Sequence, residues 1–252
     1  RLLVDYDPHL VLEGIAICCW ACQLDTAYYF IRGEYHHQAK VLDNAIAEAY
    51  GMQSDPTVDT RLRKPLARAV EYILKTQSTR DGGWRYLKGQ ISDVSMFGWQ
   101  LMALKSAEIA GIKFPKSSQD LMIKFLKDRS MGKSKGLASY RILEAPYTLP
   151  PSASMTAEAL FCKQIMGLAR DNPQSVEAID FLNQRVPTRQ SEDIYYWYYG
   201  TLAMYQYGGA DWRNWNDSLR DYLVQDQRTT GHAAGSWDPK SPWGQYGGRV
   251  FS

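Results

Sequence analysis

This 252-residue chain has no run of about 18 apolar residues, the least that crosses a bilayer as a helix, so no membrane span is expected. It lacks the basic, apolar and small-residue succession of a secretory leader. It has little net charge. Its 29 Lys and Arg against 27 Asp and Glu leave +2, which offers nothing to a polyanion such as nucleic acid. It has four cysteines, too few and too clustered for a secreted disulfide framework. The compartment stays open on these grounds, with the cytoplasm as the default.

Three of the cysteines sit at positions 18, 19 and 22, and Cys19 and Cys22 have C-x-x-C spacing. A structural zinc needs four ligands, commonly a second such pair. None follows; the remaining cysteine is Cys162. Leu10, Ile15, Cys18, Cys19 and Cys22 fall at helical spacing, so the cluster reads as packed thiols on an apolar helix face. His36 and His37 are adjacent and point to different sides of any helix. We expect no metal and no cofactor.

Residues 1–51 read as a helix over 8–23, a strand over 27–32, a turn at Gly33 and a helix over 36–50. Their three basic and seven acidic residues give −4, whereas the remainder, 26 against 20, gives +6. That shift points to two pieces of different origin. The stretch Pro8 to Gly14, the Ala- and Cys-rich helix, "AYYFIRGEY" at 27–35 and "AIAEA" at 45–49 resemble the NADH- and flavin-binding subunit of respiratory complex I. In that family the nucleotide- and flavin-holding loops and the iron–sulfur cysteines lie on either side of the matching segment. The resemblance therefore implies scaffold alone, and transfers no flavin, NADH or cluster ligand to any residue.

From residue 39 onward the chain reads as repeated helical hairpins. "RLRKPLARAVEYILKTQ" (61–77) has one apolar face and runs into a glycine turn that ends at Trp84. "LRDYLVQDQRTTGHAAGSWDP" (219–239) has the same layout, from Gln227 through Gly235 to Trp237. Degenerate copies end near Tyr140 and Trp197. Between them lie helices at 93–111, 152–167 and 193–209 that are nearly apolar all round and are expected to be buried on every side. Ser92-Asp93, Ser152 and Ser191 precede these helices as N-caps, and Gly111, Gly167 and Gly208-Gly209 end them. The expectation is an inner row of apolar helices wrapped by an outer row of amphipathic ones, each hairpin burying its face against the next.

Gln, a glycine turn and then Trp resemble the repeat of squalene cyclases and protein prenyltransferases. "GGWRY" (82–86) and "DVSMFGWQLMALKSA" (93–107) look most like bacterial prenyltransferase/squalene-oxidase-repeat proteins. The likeness covers about residues 45–252 and implies a mainly α fold, an α/α toroid. It implies structural repeat turns at Gln77, Gly83, Trp84, Gln227, Gly235 and Trp237, with each Gln bonding free carbonyls at a helix end and each indole covering the next hairpin. Four hairpins can be counted where closed rings use more. The toroid is therefore expected to be incomplete and cut at its carboxyl end, with open edges through which copies could self-associate. The two resemblances meet at "AEAYGM" (47–52), which divides the chain into a 1–51 fragment and a 52–252 repeat domain.

The residues offer little chemistry. The cyclase signature Asp-x-Asp-Asp is absent, as is the Gly-Cys-Gly-Glu-Gln of thioester domains. A prenyltransferase zinc held by Asp, Cys and His would have to draw on Asp238, Cys162 and His232, scattered along the chain. Asp93 and Asp193 are weak catalytic candidates that read first as N-caps. The aromatic run at 195–207 suggests a ligand cavity. Tyr195, Tyr198, Tyr199 and Tyr205 would fall on one helix stripe and Trp197 on another, with Trp99, Arg85 and Tyr86 nearby. The function expected is binding of an apolar small molecule or peptide without catalysis. A degenerate terpene-cyclase-type enzyme and an NADH-quinone oxidoreductase flavoprotein fragment are the alternatives.

Overall fold

Four side chains set the rhythm of the helices beyond residue 90. Asp93, Ser152, Asp193 and Ser241 each accept a hydrogen bond from a backbone N–H three residues on: Met96 at 2.8 Å, Met155 at 3.2 Å, Tyr196 at 3.1 Å and Gly244 at 3.1 Å. Each satisfies a donor that the first turn of a helix leaves without an intrahelical partner. The cap of the third apolar helix is thus Asp193, one of the two positions expected; the other, Ser191, lies outside the described residues.

The computed structural model describes residues 36–53, 56–142, 149–189, 192–241 and 244–250, with helical backbone also at 8–9, 11–12 and 14–15. The expected strand at 27–32, Gly33, and Cys18, Cys19 and Cys22 lie outside the described residues. Two compact units comprise residues 1–69 and 70–252. The helices are α1 (His36–Gln53), α2 (Pro56–Thr76), α3 (Val94–Ile109), α4 (Lys116–Arg129), α5 (Ala153–Ile165), α6 (Pro173–Asn183), α7 (Ile194–Tyr207), α8 (Gly209–Asp226) and the short α9 (Gly244–Gly247). The protein is mainly helical. No described helix is long and apolar enough to cross a membrane. In the first unit, His9 and Glu48 pair at 2.9 Å.

In the second unit the apolar helices α3, α5 and α7 lie in a row, with α5 packed against both neighbours. Helix α6 packs on α5, and α8 packs on α7. Helix α4 reaches α3 through stacked Phe97 and Phe125, whose ring centres are 4.4 Å apart. Residues 155–163 of α5 are buried all round. One of its faces, Met155, Ala159 and Cys162, joins a core with Phe97, Leu101, Met122 and Phe125. The other, Ala157, Leu160 and Phe161, joins a core with Ile179, Leu182, Met204 and Trp215. A buried side chain of this size contributes roughly 1.5–3 kcal/mol.

The two Gln–Gly–Trp turns have the same hydrogen bonds although the second is three residues longer. The Trp84 indole donates to Ile73 O at 2.8 Å, and the Trp237 indole to Leu223 O at 2.8 Å; each acceptor lies four residues before the turn's Gln. Gln77 Nε2 donates to Gly82 O at 2.9 Å, and Gln227 Nε2 to Gly235 O at 3.0 Å. Gly82 and Gly235 both have left-handed φ, +85° and +84°, and both sit two residues before Trp, so a glycine is required there. The expectation named Gly83 in the first turn; the equivalent of Gly235 is Gly82. Gly83 lies instead against Phe125 and Ser92, with no room for a side chain.

The Trp84 ring covers the following helix as expected, 5.9 Å from Phe97 of α3, but the helix-end task expected of Gln also falls to Trp. Trp caps the carbonyl at the helix end, while Gln bridges the turn and, at Gln77, the next outer helix. Gln77 Nε2 donates to Ser118 O at 3.2 Å, and Ser118 Oγ donates to Gln77 Oε1 at 2.5 Å. In the degenerate turn after α4, Ser130 Oγ takes the carbonyl of Leu126, again four residues back, at 2.7 Å. That turn also forms a two-residue antiparallel ladder, Ser130 with Ala138 and Met131 with Leu137, which no alternation in the sequence announced.

Candidate functional site

The row of apolar helices is not buried on every side, contrary to its composition. Trp99 on α3 is 48% exposed and Tyr198 on α7 is 45% exposed. Their rings stack at 6.1 Å with an interplanar angle of 18°. Tyr199 packs edge-on beneath both, at 6.1 Å from Trp99 and 5.0 Å from Tyr198, and Tyr195 lies 5.2 Å from Tyr199. Four of the expected cavity residues therefore converge on one face, where α3 and α7 lean together over α5. An aromatic ring can leave one side in solvent and keep its other side packed, which is how an apolar helix tolerates this exposure.

Glu158 of α5 lies under that face, fully buried. Tyr195 Oη donates to Glu158 Oε2 at 2.9 Å and shares a 2.5 Å hydrogen bond with Ser95 Oγ. Glu158 Oε1 and the Tyr199 hydroxyl, both buried, make no hydrogen bond. The carboxyl occupies the space left by the missing side chain of Gly98, where a Cβ would collide with Oε1. Burial pushes the Glu158 acid up to about 8; the Tyr195 and Tyr199 hydroxyls pull it down and Asp93 adds to the rise. At neutral pH the group is a protonated, uncharged acid. The Tyr195 and Tyr199 phenols are raised by burial and by Glu158, and the Cys162 thiol is raised well above its ordinary value by burial.

Sequence reading missed Glu158, Ser95 and Gly98. The signal was present: Glu158 is the one acid in "SASMTAEALFCKQIMG" (152–167), and an acid inside an apolar helix needs a partner or a proton. The one base of that stretch, Lys163, donates to Ser130 Oγ at 2.8 Å, Lys135 O at 2.9 Å and Gln174 Oε1 at 2.9 Å. Burial brings its ammonium down to about 8 against the opposing pull of Glu177.

The other expected site residues lie elsewhere. The Trp197 ring meets Tyr222 of α8 at 5.0 Å, and the Tyr205 ring meets Trp212 of α8 at 5.3 Å, so both face the outer helix. Arg85 pairs with Asp93 and donates to Tyr140 Oη at 2.9 Å, with its guanidinium 4.6 Å over the Tyr86 ring. Arg85 and Tyr86 line a surface cleft of about 670 Å³ together with Tyr72, Arg80 and Met96. Asp93 is fully buried and bound by its cap, Arg85 and Tyr140. Asp193 holds its own cap and accepts from Ser154 Oγ at 3.3 Å. No group of three or more His, Cys, Asp or Glu side chains suited to a metal occurs among the described residues.

Comparison with known proteins finds similarity over a short segment. It is 46% identical over 50 residues to the NADH dehydrogenase [ubiquinone] flavoprotein 1, mitochondrial, of Dictyostelium discoideum, covering 20% of this chain and 10% of that protein. It is 42% identical over 50 residues to the mitochondrial NADH-ubiquinone oxidoreductase 51 kDa subunit of Neurospora crassa, again covering 20% and 10%. It is 47% identical over 49 residues to an NADH-quinone oxidoreductase subunit of Escherichia coli, covering 19% and 11%. The chain thus spans about a tenth of the length of these curated relatives. No family model and no solved structure matches the chain.

Proposed function

We propose that the chain beyond residue 51 is an α/α-toroid repeat domain that binds an apolar ligand on its inner helices and does not transform it. The observation that carries this reading is the Trp99–Tyr198 stack, two large rings half in solvent on one face of helices whose other faces supply the core. Exposed aromatics gathered on one face mark an interaction site more often than scattered ones do. The surroundings favour a neutral guest: Asp93 is compensated by Arg85, and Glu158 keeps its proton. The repeating caps and the paired Gln–Gly–Trp turns support the toroid architecture. A non-catalytic role fits Asp93 and Asp193, whose carboxylates are engaged as caps.

Titration with a long-chain isoprenoid alcohol, followed by tryptophan fluorescence, tests the reading. Saturable binding that Trp99→Ala and Tyr198→Ala each weaken at least tenfold is the expected result. Binding retained by both variants, or a wild-type protein that takes up neither the alcohol nor an environment-sensitive apolar dye, overturns it. Incubation with squalene or a prenyl diphosphate should return the compound unchanged; turnover would move the reading to an enzyme.

A second reading rests on the 50-residue similarity to NADH-oxidising flavoproteins. It makes that segment a piece of their scaffold, and a flavoprotein activity for the whole chain follows only if the purified protein absorbs in the flavin band. A colourless protein removes it.

A further inference from the structure

Glu158 is the point at which three helices meet. Its carboxyl rests on the Gly98 backbone of α3, belongs to α5, and receives the Tyr195 hydroxyl of α7. The groups that face it are of one kind. From α3 comes Asp93, already compensated by Arg85; from α7 come the Tyr195 and Tyr199 phenols; from its own helix comes the Cys162 thiol. No cation bonds the carboxyl among the described residues. Oε1 faces the backbone of residue 98 without a well-formed hydrogen bond, and the Tyr199 hydroxyl is the nearby phenol that eases its charge. A neutral acid tolerates this seat, whereas a carboxylate there has only the Tyr195 and Tyr199 phenols to oppose its burial and no counter-charge.

We propose that Glu158 is a proton-operated latch: protonated, it lets α3, α5 and α7 close on one another, and ionised, it loosens α3 from the other two and rearranges the aromatic face above it. A proton has a route to the outside. Ser95 and Tyr195 are only partly buried, and they form a hydrogen-bonded chain from the surface to Oε2. Tyr199, which touches Glu158 on one side and Trp99 and Tyr198 on the other, carries the change to the exposed stack. The latch requires no ligand, so it stands apart from the binding reading above.

The test is a titration of the intact protein from pH 6 to 9.5, followed by the near-ultraviolet dichroism of the aromatic residues and by amide exchange across residues 94–109. The wild type should show one transition with its midpoint near pH 8 and faster exchange above it. Glu158→Gln, isosteric and unable to ionise, should lose this transition and keep at most a small remainder from Lys163. Lys163 also titrates near 8, but its partners Ser130, Lys135 and Gln174 lie on the side of α5 toward α4 and α6. Any contribution from Lys163 therefore survives in Glu158→Gln, and a transition that survives whole would overturn the proposal. Tyr195→Phe supplies an independent check, because losing the donor to Oε2 should raise the midpoint. A midpoint that stays in place in Tyr195→Phe, or a wild type without a transition, is equally fatal.

Discussion

Gly98 vacates the space that the Glu158 carboxyl fills. A side chain on residue 98 would collide with Oε1, so α3 and α5 can approach only while position 98 is bare. Gly98→Ala should therefore destabilise the protein by about 1–3 kcal/mol, the cost of overpacking a core. In the double variant Gly98→Ala, Glu158→Ala the methyl group gains its space, so the two changes should couple rather than add. Urea unfolding of the four proteins measures the coupling; strict additivity would show that the two positions do not press on each other.

The same carboxyl sets a pH dependence. Its folded pKa, about 8, lies above the ordinary value of 4.5, so the folded state holds a proton that the unfolded state releases. That contribution is fully present below the unfolded pKa, and it is lost as pH rises through the folded pKa. Stability should fall between roughly pH 4.5 and 8 by a few kcal/mol and then level off. Glu158→Gln should flatten the fall. Midpoints of chemical unfolding at half-unit pH intervals decide this, and a slope of opposite sign in the wild type counts against the buried acid.

Much of this organisation was legible in the chain. The apolar helices, their N-caps and the Gln–Gly–Trp layout all rest on local rules of periodicity, capping and turn geometry, which a sequence displays directly. Which side of an apolar helix meets water was not legible, because Trp99 and Tyr198 look like any buried aromatic until α3 and α7 are placed together. Tyr205 and Trp197 illustrate the same limit. Both belong to the aromatic run at 195–207, yet each turns toward α8. Gly82 rather than Gly83 carries the first turn because the count runs back from Trp, a register that aligning Trp84 with Trp237 already displays in the sequence.

The two Gln–Gly–Trp turns should respond unequally to the same change. Gln77 is buried and makes three hydrogen bonds, including two with Ser118 of the next outer helix. Gln227 makes one in a more exposed turn. Gln77→Ala strands buried partners and should cost about 1–3 kcal/mol, while Gln227→Ala should cost less than about 1 kcal/mol. Thermal unfolding of both variants checks the order, and equal losses would remove the distinction drawn between the turns.

Arg129 should prove the least replaceable residue of α4. It is buried, donates to Asp81 Oδ2 at 2.9 Å and to Ser92 O at 3.1 Å, and lies 3.5 Å over the Phe125 ring. Burial alone lowers its pKa, and Asp81 opposes that. Arg129→Ala removes the counter-charge of Asp81, which keeps its hydrogen bonds from Ser92, and opens a cavity, with an expected loss of about 3–5 kcal/mol. Removing both charges, as in Arg129→Met with Asp81→Asn, should recover part of that loss, because the stranded charge is the larger fault. A double variant no more stable than Arg129→Ala would place the cost in packing instead.

Asp93 and Asp193 occupy equivalent caps in different surroundings, and this separates a structural role from a catalytic one. Asp93 is fully buried, and besides its cap it binds Arg85 and Tyr140. Asp193 has its cap and a long contact with Ser154. Asn keeps the cap at either position, so Asp193→Asn should cost only a few tenths of a kcal/mol. Asp193→Ala removes the cap and should cost about 1 kcal/mol. At residue 93 the order differs: Asn already forfeits the charge pair with Arg85, whose head reaches the surface cleft, and about 1–3 kcal/mol should go before the cap is touched. If the two aspartates serve as caps, these losses will track the hydrogen bonds each one makes, and ligand uptake by the folded variants will stay as it was. An Asp93→Asn protein that is stable but no longer takes up the apolar ligand would instead assign the residue to the binding face.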